Sequence, residues 1–115
     1  MSAAKGNIKI EAKSGFELVC VCTDDADVPV DLTGYTARAA IKKTASDVDA
    51  VAVFTCTIPT PTDGAVVCKL TAAQTAVMND MGTGAWDLLL QPPVGEPFRL
   101  LQGSVTISPG VTDNG

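Results

Sequence analysis

Residues 82–112, GTGAWDLLLQPPVGEPFRLLQGSVTISPGVT, restrict what this chain can fold into more than any other stretch. Two runs of alternating apolar residues, GAWDLLLQ and PFRLLQGSVTI, flank a connection rich in proline and glycine, and Pro109 and Gly110 stop the second run. This is the pattern of a β-hairpin. Successive strand side chains point to opposite faces, so Trp86, Leu88 and Leu90 share one face of the first strand, and Leu101, Gly103, Val105 and Ile107 share one face of the second. Both faces read as core. Trp86 is the only tryptophan, and a large aromatic dominates burial in a small core, so the remaining strands are expected to pack against it. Asp87, between Trp86 and Leu88, is expected at the strand surface, and Leu89 and Leu100 fall on the nominal outer faces.

The rest of the chain supplies strands for that hairpin to meet. Residues 7–12 (NIKIEA) alternate with Ile8 and Ile10 on one side, which predicts a first, edge strand with Lys9 and Glu11 facing water. Residues 16–22 (FELVCVC) predict a second strand with Phe16, Leu18, Cys20 and Cys22 on one face and Glu17, Val19 and Val21 on the other. Both faces are largely apolar, so either the strand is covered on both sides or Val19 and Val21 meet a partner. Residues 35–42 predict a third strand with Ala37, Ala39 and Ile41 inward. Residues 52–58 and 65–70 form a further hairpin whose in-register pairing sets Cys56 near Cys68. Thr71 and Gln74 then make a capping box, which predicts a short helix over about residues 72–78.

Composition narrows the function. The chain has 115 residues, enough for one core, and is expected to be a single domain over residues 1–115 with its core at about 7–109 and short tails at either end. The formal charge is −5 and the eight basic residues are scattered, whereas a phosphate-binding surface needs a concentrated positive field. Nucleic acid and anionic membranes are therefore not expected partners. MSAAKGNIKIEAK carries charge where a signal peptide needs an apolar run, so the chain is expected to begin in the cytoplasm. Histidine is absent, which removes the commonest general base and the usual nucleophile–histidine dyads. No phosphate-loop or nucleophile-elbow pattern appears. An enzyme is not expected, and neither is a cofactor or a resident metal.

Two groups of residues still invite chemistry. Residues 24–31 hold Asp24, Asp25, Asp27 and Asp31, hard oxygen donors close in sequence, although an EF-hand would need glycine at its sixth position and glutamate at its twelfth. Asp31 and Gly34 more simply serve a turn, the aspartate accepting backbone hydrogen bonds and the glycine taking a positive φ. The four cysteines allow an all-thiolate zinc site from Cys20, Cys22, Cys56 and Cys68, a disulfide between Cys56 and Cys68, or buried thiols. Their mid-strand positions favour buried thiols, because zinc knuckles sit on turns and cytosolic thiols stay reduced.

Read together, Asp31-Leu32-Thr33-Gly34, Gly64 to Leu70 (G-x-V-x-x-x-L), Leu70 to Thr75 (LTAAQT), Gly84 to Leu88 (GAWDL) and Gly103 to Thr112 resemble a family of small structural proteins of tailed bacteriophages. The resemblance spans roughly residues 15–112 and is similar to the N-terminal sandwich of phage upper baseplate proteins. It implies a virion protein made in the host cytoplasm, with other virion proteins as partners in a symmetric assembly of several copies. Its motifs are folding signals and supply no catalytic residues.

Seven or eight short strands separated by turn signals, with one short helix in a connection, predict an all-β, immunoglobulin-like antiparallel sandwich. The expected function is a non-enzymatic structural component, first a tail or baseplate adaptor that seats fibres or spikes. The alternatives are a capsid decoration or head–tail neck protein, and a carbohydrate-binding module contacting the host surface. Val19, Val21, Leu89 and Leu100 are the expected interface residues, with Trp86, Asp31, Gly34 and Gly103 as structural positions in core and turns.

Overall fold

A computed structural model describes residues 4–44, 46–47 and 49–109; residues 1–3, the expected C-terminal tail and the stop at Gly110 lie outside the described residues, whereas residues 4–6 of the expected N-terminal tail are part of the fold, because they pair with the last strand. In chain order the strands are β1 (Ala4–Lys5), β2 (Ile8–Glu11), β3 (Phe16–Val21), β4 (Thr36–Lys42), β5 (Ala52–Val53), β6 (Thr55–Thr57), β7 (Ala65–Leu70), β8 (Thr83–Gln91) and β9 (Phe98–Ser108), with one helix, α1 (Ala72–Ala76), between β7 and β8. They form two sheets. One has the order β1-β9-β8-β4-β5, with β2 also on β9, and the other has the order β3-β7-β6. The molecule is all-β, a two-sheet sandwich of the kind the alternation predicts.

Each sheet turns one apolar face inward. Trp86, Leu88 and Leu90 of β8, Val105 and Ile107 of β9, and Ala39 and Ile41 of β4 are buried against Cys20, Val66, Cys68 and Leu70 of the smaller sheet. Three rings run through the sandwich: Phe16 of β3 meets Phe54, and Phe54 meets Trp86, each with centroids 6.2 Å apart and tilted planes. Such tilted contacts add to the area that the rings bury.

Phe54 also marks where the fold departs from a simple hairpin. Residues 52–58 read as one strand, but the chain changes sheets within it. Ala52 and Val53 pair with β4, Phe54 still donates its N–H to the Ala39 carbonyl at 2.9 Å, and Thr55 to Thr57 pair with β7. Alternation is blind to this change, because a side chain can stay inward while its backbone partners change.

A second departure concerns direction. β1 and β2 run parallel to β9, with Ala4 beside Leu101 and Ile8 beside Val105, whereas the other pairings are antiparallel. Between β1 and β2 the backbone crosses β9 at Gly103. The Trp86 indole donates Nε1–H to the Gly6 carbonyl at 2.6 Å, Gly6 donates its own N–H to the Gln102 carbonyl at 2.8 Å, and the Asn7 side chain accepts the Ser104 N–H at 3.1 Å. Gly103 stands directly opposite Trp86 in register. A Cβ at 103 would run into the Gly6 carbonyl, so this glycine is required by close backbone approach.

The hairpin of β8 and β9 corrects one expectation. Its register shifts between Leu88 and Leu89, where Leu88 faces Leu101 and Leu89 faces Arg99. Leu100 is therefore the unpaired residue of a β-bulge. It is not an outer-face residue: it is half-buried and packs on the core together with Leu101.

The helix forms through its cap. Thr71 Oγ1 accepts the Gln74 N–H at 3.2 Å and Gln74 Oε1 accepts the Thr71 N–H at 2.9 Å, which completes the capping box. Thr75 is fully buried. Its hydroxyl donates to the Ser14 carbonyl at 2.7 Å and accepts the Ser14 N–H at 3.1 Å, so the helix pins the turn between β2 and β3. Nothing in the sequence pattern marks Thr75 for that role.

The Gly6 crossing predicts a contrast between two glycines. Gly103→Ala should cost about 2 kcal/mol or more in urea denaturation, because backbone must move to admit the methyl group. Gly15→Ala, whose Cβ would meet only the Leu70 carbonyl at 3.8 Å, should be neutral or stabilising by up to ~1 kcal/mol. Equal effects from the two substitutions would contradict the crossing.

Candidate functional site

The outer surface of the smaller sheet carries the most exposed apolar strand residues expected at an interface. Val19 and Val21 are 54% and 56% exposed. They project from β3 beside Val67 and Ala65, their register partners on β7, and Thr57 of β6 lies beyond Val67. Glu17 faces Lys69 across the same pair of strands and closes one end with opposite charges. Among the described residues β3 is an edge strand paired with β7, and with Val19 and Val21 more than half exposed its outer face is uncovered, so a strand covered on both sides does not hold.

The backbone of β3 is open as well. Cys22 donates its N–H to the Gly64 carbonyl at 2.7 Å, which fixes the phase of the ladder: Cys20 and Leu18 turn their backbone groups towards β7. Glu17, Val19 and Val21 therefore turn theirs to the free edge. Side chains of the same three residues and backbone groups that pair with no strand among the described residues lie at one rim, which is the geometry for adding a strand.

Leu89 behaves differently. It points outward from β8 but is half-buried, because Arg38 of β4 and Arg99 of β9 flank it in register. Arg99 also pairs with Asp87 at 3.2 Å. Both side chains are substantially exposed, so the pair contributes little, about 0–1 kcal/mol. Asn7, Lys42, Asp87, Gln102 and Ser104 rim an open depression of about 530 Å³ on this outer face, floored by Ala40 and Ala85. Trp86 keeps its ring in the core, 4% exposed, and offers no stacking platform there.

Two carboxylates of the acidic loop, those of Asp24 and Asp31, accept hydrogen bonds within their own turns. Asp24 Oδ1 accepts the N–H of Ala26 at 2.8 Å and of Val28 at 3.1 Å. Asp31 Oδ1 accepts the Thr33 N–H at 3.0 Å and its hydroxyl at 2.6 Å, and Gly34 takes φ +82°, so the turn forms as the DLTG motif predicts. The Thr33 hydroxyl first, then its N–H, hold the Asp31 carboxyl below its ordinary value. No three histidine, cysteine or acidic side chains among the described residues gather in a metal-binding group, so neither the aspartates nor the four thiols assemble the rival sites.

The cysteines lie inside the sandwich as free thiols. Burial pushes Cys20 and Cys22 up from the ordinary thiol value. Cys56 and Cys68 are direct register partners with sulfurs 3.7 Å apart. Cys56 Sγ donates to Cys68 Sγ, and the hydrogen-bonded contact between the two thiols lowers Cys56 and, with burial, raises Cys68.

No family model matches the chain, and no curated protein matches it in sequence. Among solved structures its fold is similar to that of Tim-1, with a TM-score of 0.50 and 10% identity over 96% of this chain and 98% of that chain. At that identity the likeness shows the fold alone, an all-β sandwich of immunoglobulin-like type.

Two outcomes test the placement of these residues. Val19→Glu should change the stability of the isolated protein by no more than ~0.5 kcal/mol, whereas Leu100→Glu should cost about 2–4 kcal/mol in the same denaturation experiment, since it would bury a charge. Asp31 supplies a pH test. Its folded-state pKa lies below the ordinary value, so its stabilising effect is complete above that value and is lost as pH falls through the folded one. The stability difference between the native chain and Asp31→Ala should accordingly shrink between about pH 5 and about pH 2.

Proposed function

We propose that this chain is a non-enzymatic structural component of a tailed-bacteriophage virion, acting in the tail as an adaptor that seats fibres or spikes on a baseplate. The observation that carries the assembly role is the open β3 rim, where Val19 and Val21 are more than half exposed and where the backbone groups of residues 17, 19 and 21 face outward. A strand from a neighbouring virion subunit would satisfy those groups and cover the valines in one step. The virion setting is supported by the sequence resemblance over roughly residues 15–112.

The same rim would serve a capsid decoration or neck protein, and position in the particle separates these readings. A carbohydrate-binding module has less support. Asp24 and Asp31 of its aspartate loop are engaged in turn hydrogen bonds, and the one indole faces the core.

Cryo-electron microscopy of the parent particle tests the proposal. Density for this chain at the tail tip or fibre base is the expected result; density on the capsid lattice or neck would replace the adaptor with the alternative, and absence from the particle would overturn the virion reading. The double variant Val19→Glu/Val21→Glu should fold normally yet enter particles roughly tenfold less, a loss equivalent to about 1.4 kcal/mol of binding. Undiminished incorporation would remove β3 from the interface.

A further inference from the structure

We propose that Cys56 and Cys68 are an oxidisable cross-strand thiol pair, which an external disulfide converts to a Cys56–Cys68 bridge that staples β6 to β7. The ladder phase carries the geometry. Leu18 and Cys68 are a hydrogen-bonded pair of β3 and β7, so Cys68 turns its backbone away from β6. Against β6 the hydrogen-bonded pairs are then Thr55 with Lys69 and Thr57 with Val67, and Cys56 with Cys68 is the non-hydrogen-bonded pair between them. In such a pair the Cα atoms approach to about 4.5 Å and the side chains lie closer than elsewhere in the ladder. That separation falls within the range a disulfide accepts. The sulfurs already touch at 3.7 Å.

The remaining thiols are excluded by position. Cys20 lies opposite Val66 and Cys68 lies opposite Leu18, so Cys20 and Cys68 are diagonal neighbours on one face, about 7–8 Å apart. That is too far for a bridge without backbone movement. Cys22 lies one further step away on the same face.

The two members of the pair differ in a way that orders the reaction. Cys56 is half-buried on β6, an edge strand, whereas Cys68 is fully buried on the central strand β7. Contact with the Cys68 thiol lowers Cys56 and so favours its thiolate, the attacking form. Cys56 Sγ attacks one sulfur of a small disulfide such as oxidised glutathione, forming a mixed disulfide and releasing one glutathione thiolate, which takes up the proton that Cys56 gave up. Cys68 then loses its proton and its sulfur attacks Cys56 Sγ. The mixed disulfide breaks, the Cys56–Cys68 bond forms, and the second glutathione leaves as a thiol. The protein loses two electrons and two protons, and the oxidant gains both. This chemistry belongs to the isolated domain and does not rest on the virion reading.

The test uses the purified full chain incubated with excess oxidised glutathione, followed by denaturation, alkylation of remaining thiols and peptide mapping. The expected product carries a Cys56–Cys68 bridge with Cys20 and Cys22 alkylated, and its Tm rises by roughly 5–10 °C, reversed by a thiol reductant. Cys56→Ser should abolish both the bridge and the Tm rise, and Cys20→Ala should leave both intact. A glutathione adduct that persists on Cys56, a bridge that includes Cys20, or a folded protein that keeps both thiols reduced would each overturn the proposal.

Discussion

The Trp86 indole holding the Gly6 carbonyl at 2.6 Å is the contact on which the rest of the architecture turns. An indole N–H inside a core must find an acceptor, since leaving it unpaired costs about 1–3 kcal/mol. Here the acceptor is a backbone carbonyl from the opposite end of the sequence. Gly103 makes this possible by leaving room for the Gly6 backbone opposite Trp86. One side chain and two glycines thus join the first strands of the chain to the last.

That junction has a consequence on the far side of the sandwich. The N-terminal segment is committed to β9, running parallel to it as β1 and then β2, and therefore cannot lie beside β3. Among the described residues the smaller sheet ends at β3, and the segment that precedes it in the chain lies in the other sheet, held there by β9 and by the Trp86 contact. Thr75 supports it by fixing Ser14 in the turn where the chain passes from β2 in one sheet to β3 in the other.

Much of this fold is legible in side-chain alternation, and what is not legible has a common cause. The inward faces of β3, β4, β7 and β8, the capping box and the DLTG turn are local patterns, written in residues two to four apart. The parallel course of β1 and β2, the change of sheet at Phe54 and the bulge at Leu100 concern backbone partners distant in sequence. Alternation reports which way a side chain points and is silent on which strand lies next to it. Leu100 shows the cost: one extra residue reverses the facing of a strand, so strict counting from Leu101 put it outside. Val19 and Val21 lie on a strand whose two faces are both apolar in sequence, and only the packing of the sheets shows that theirs is the exposed face.

The sheet edges differ in how far they are protected. A sheet edge invites unwanted pairing, and proteins blunt it by shortness, charge, proline or a bulge. The edge strands β5 and β6 have two and three residues, and β2 places Lys9 and Glu11 towards water. β3 is six residues long, regular along its whole pairing with β7, and charged only at Glu17. Among the described residues it is the edge with the least protection, and it coincides with two exposed valines. Because this edge is smooth and apolar where the others are short or charged, a strand laid along it would find unpaired backbone and apolar surface together, and covering that surface would release free energy.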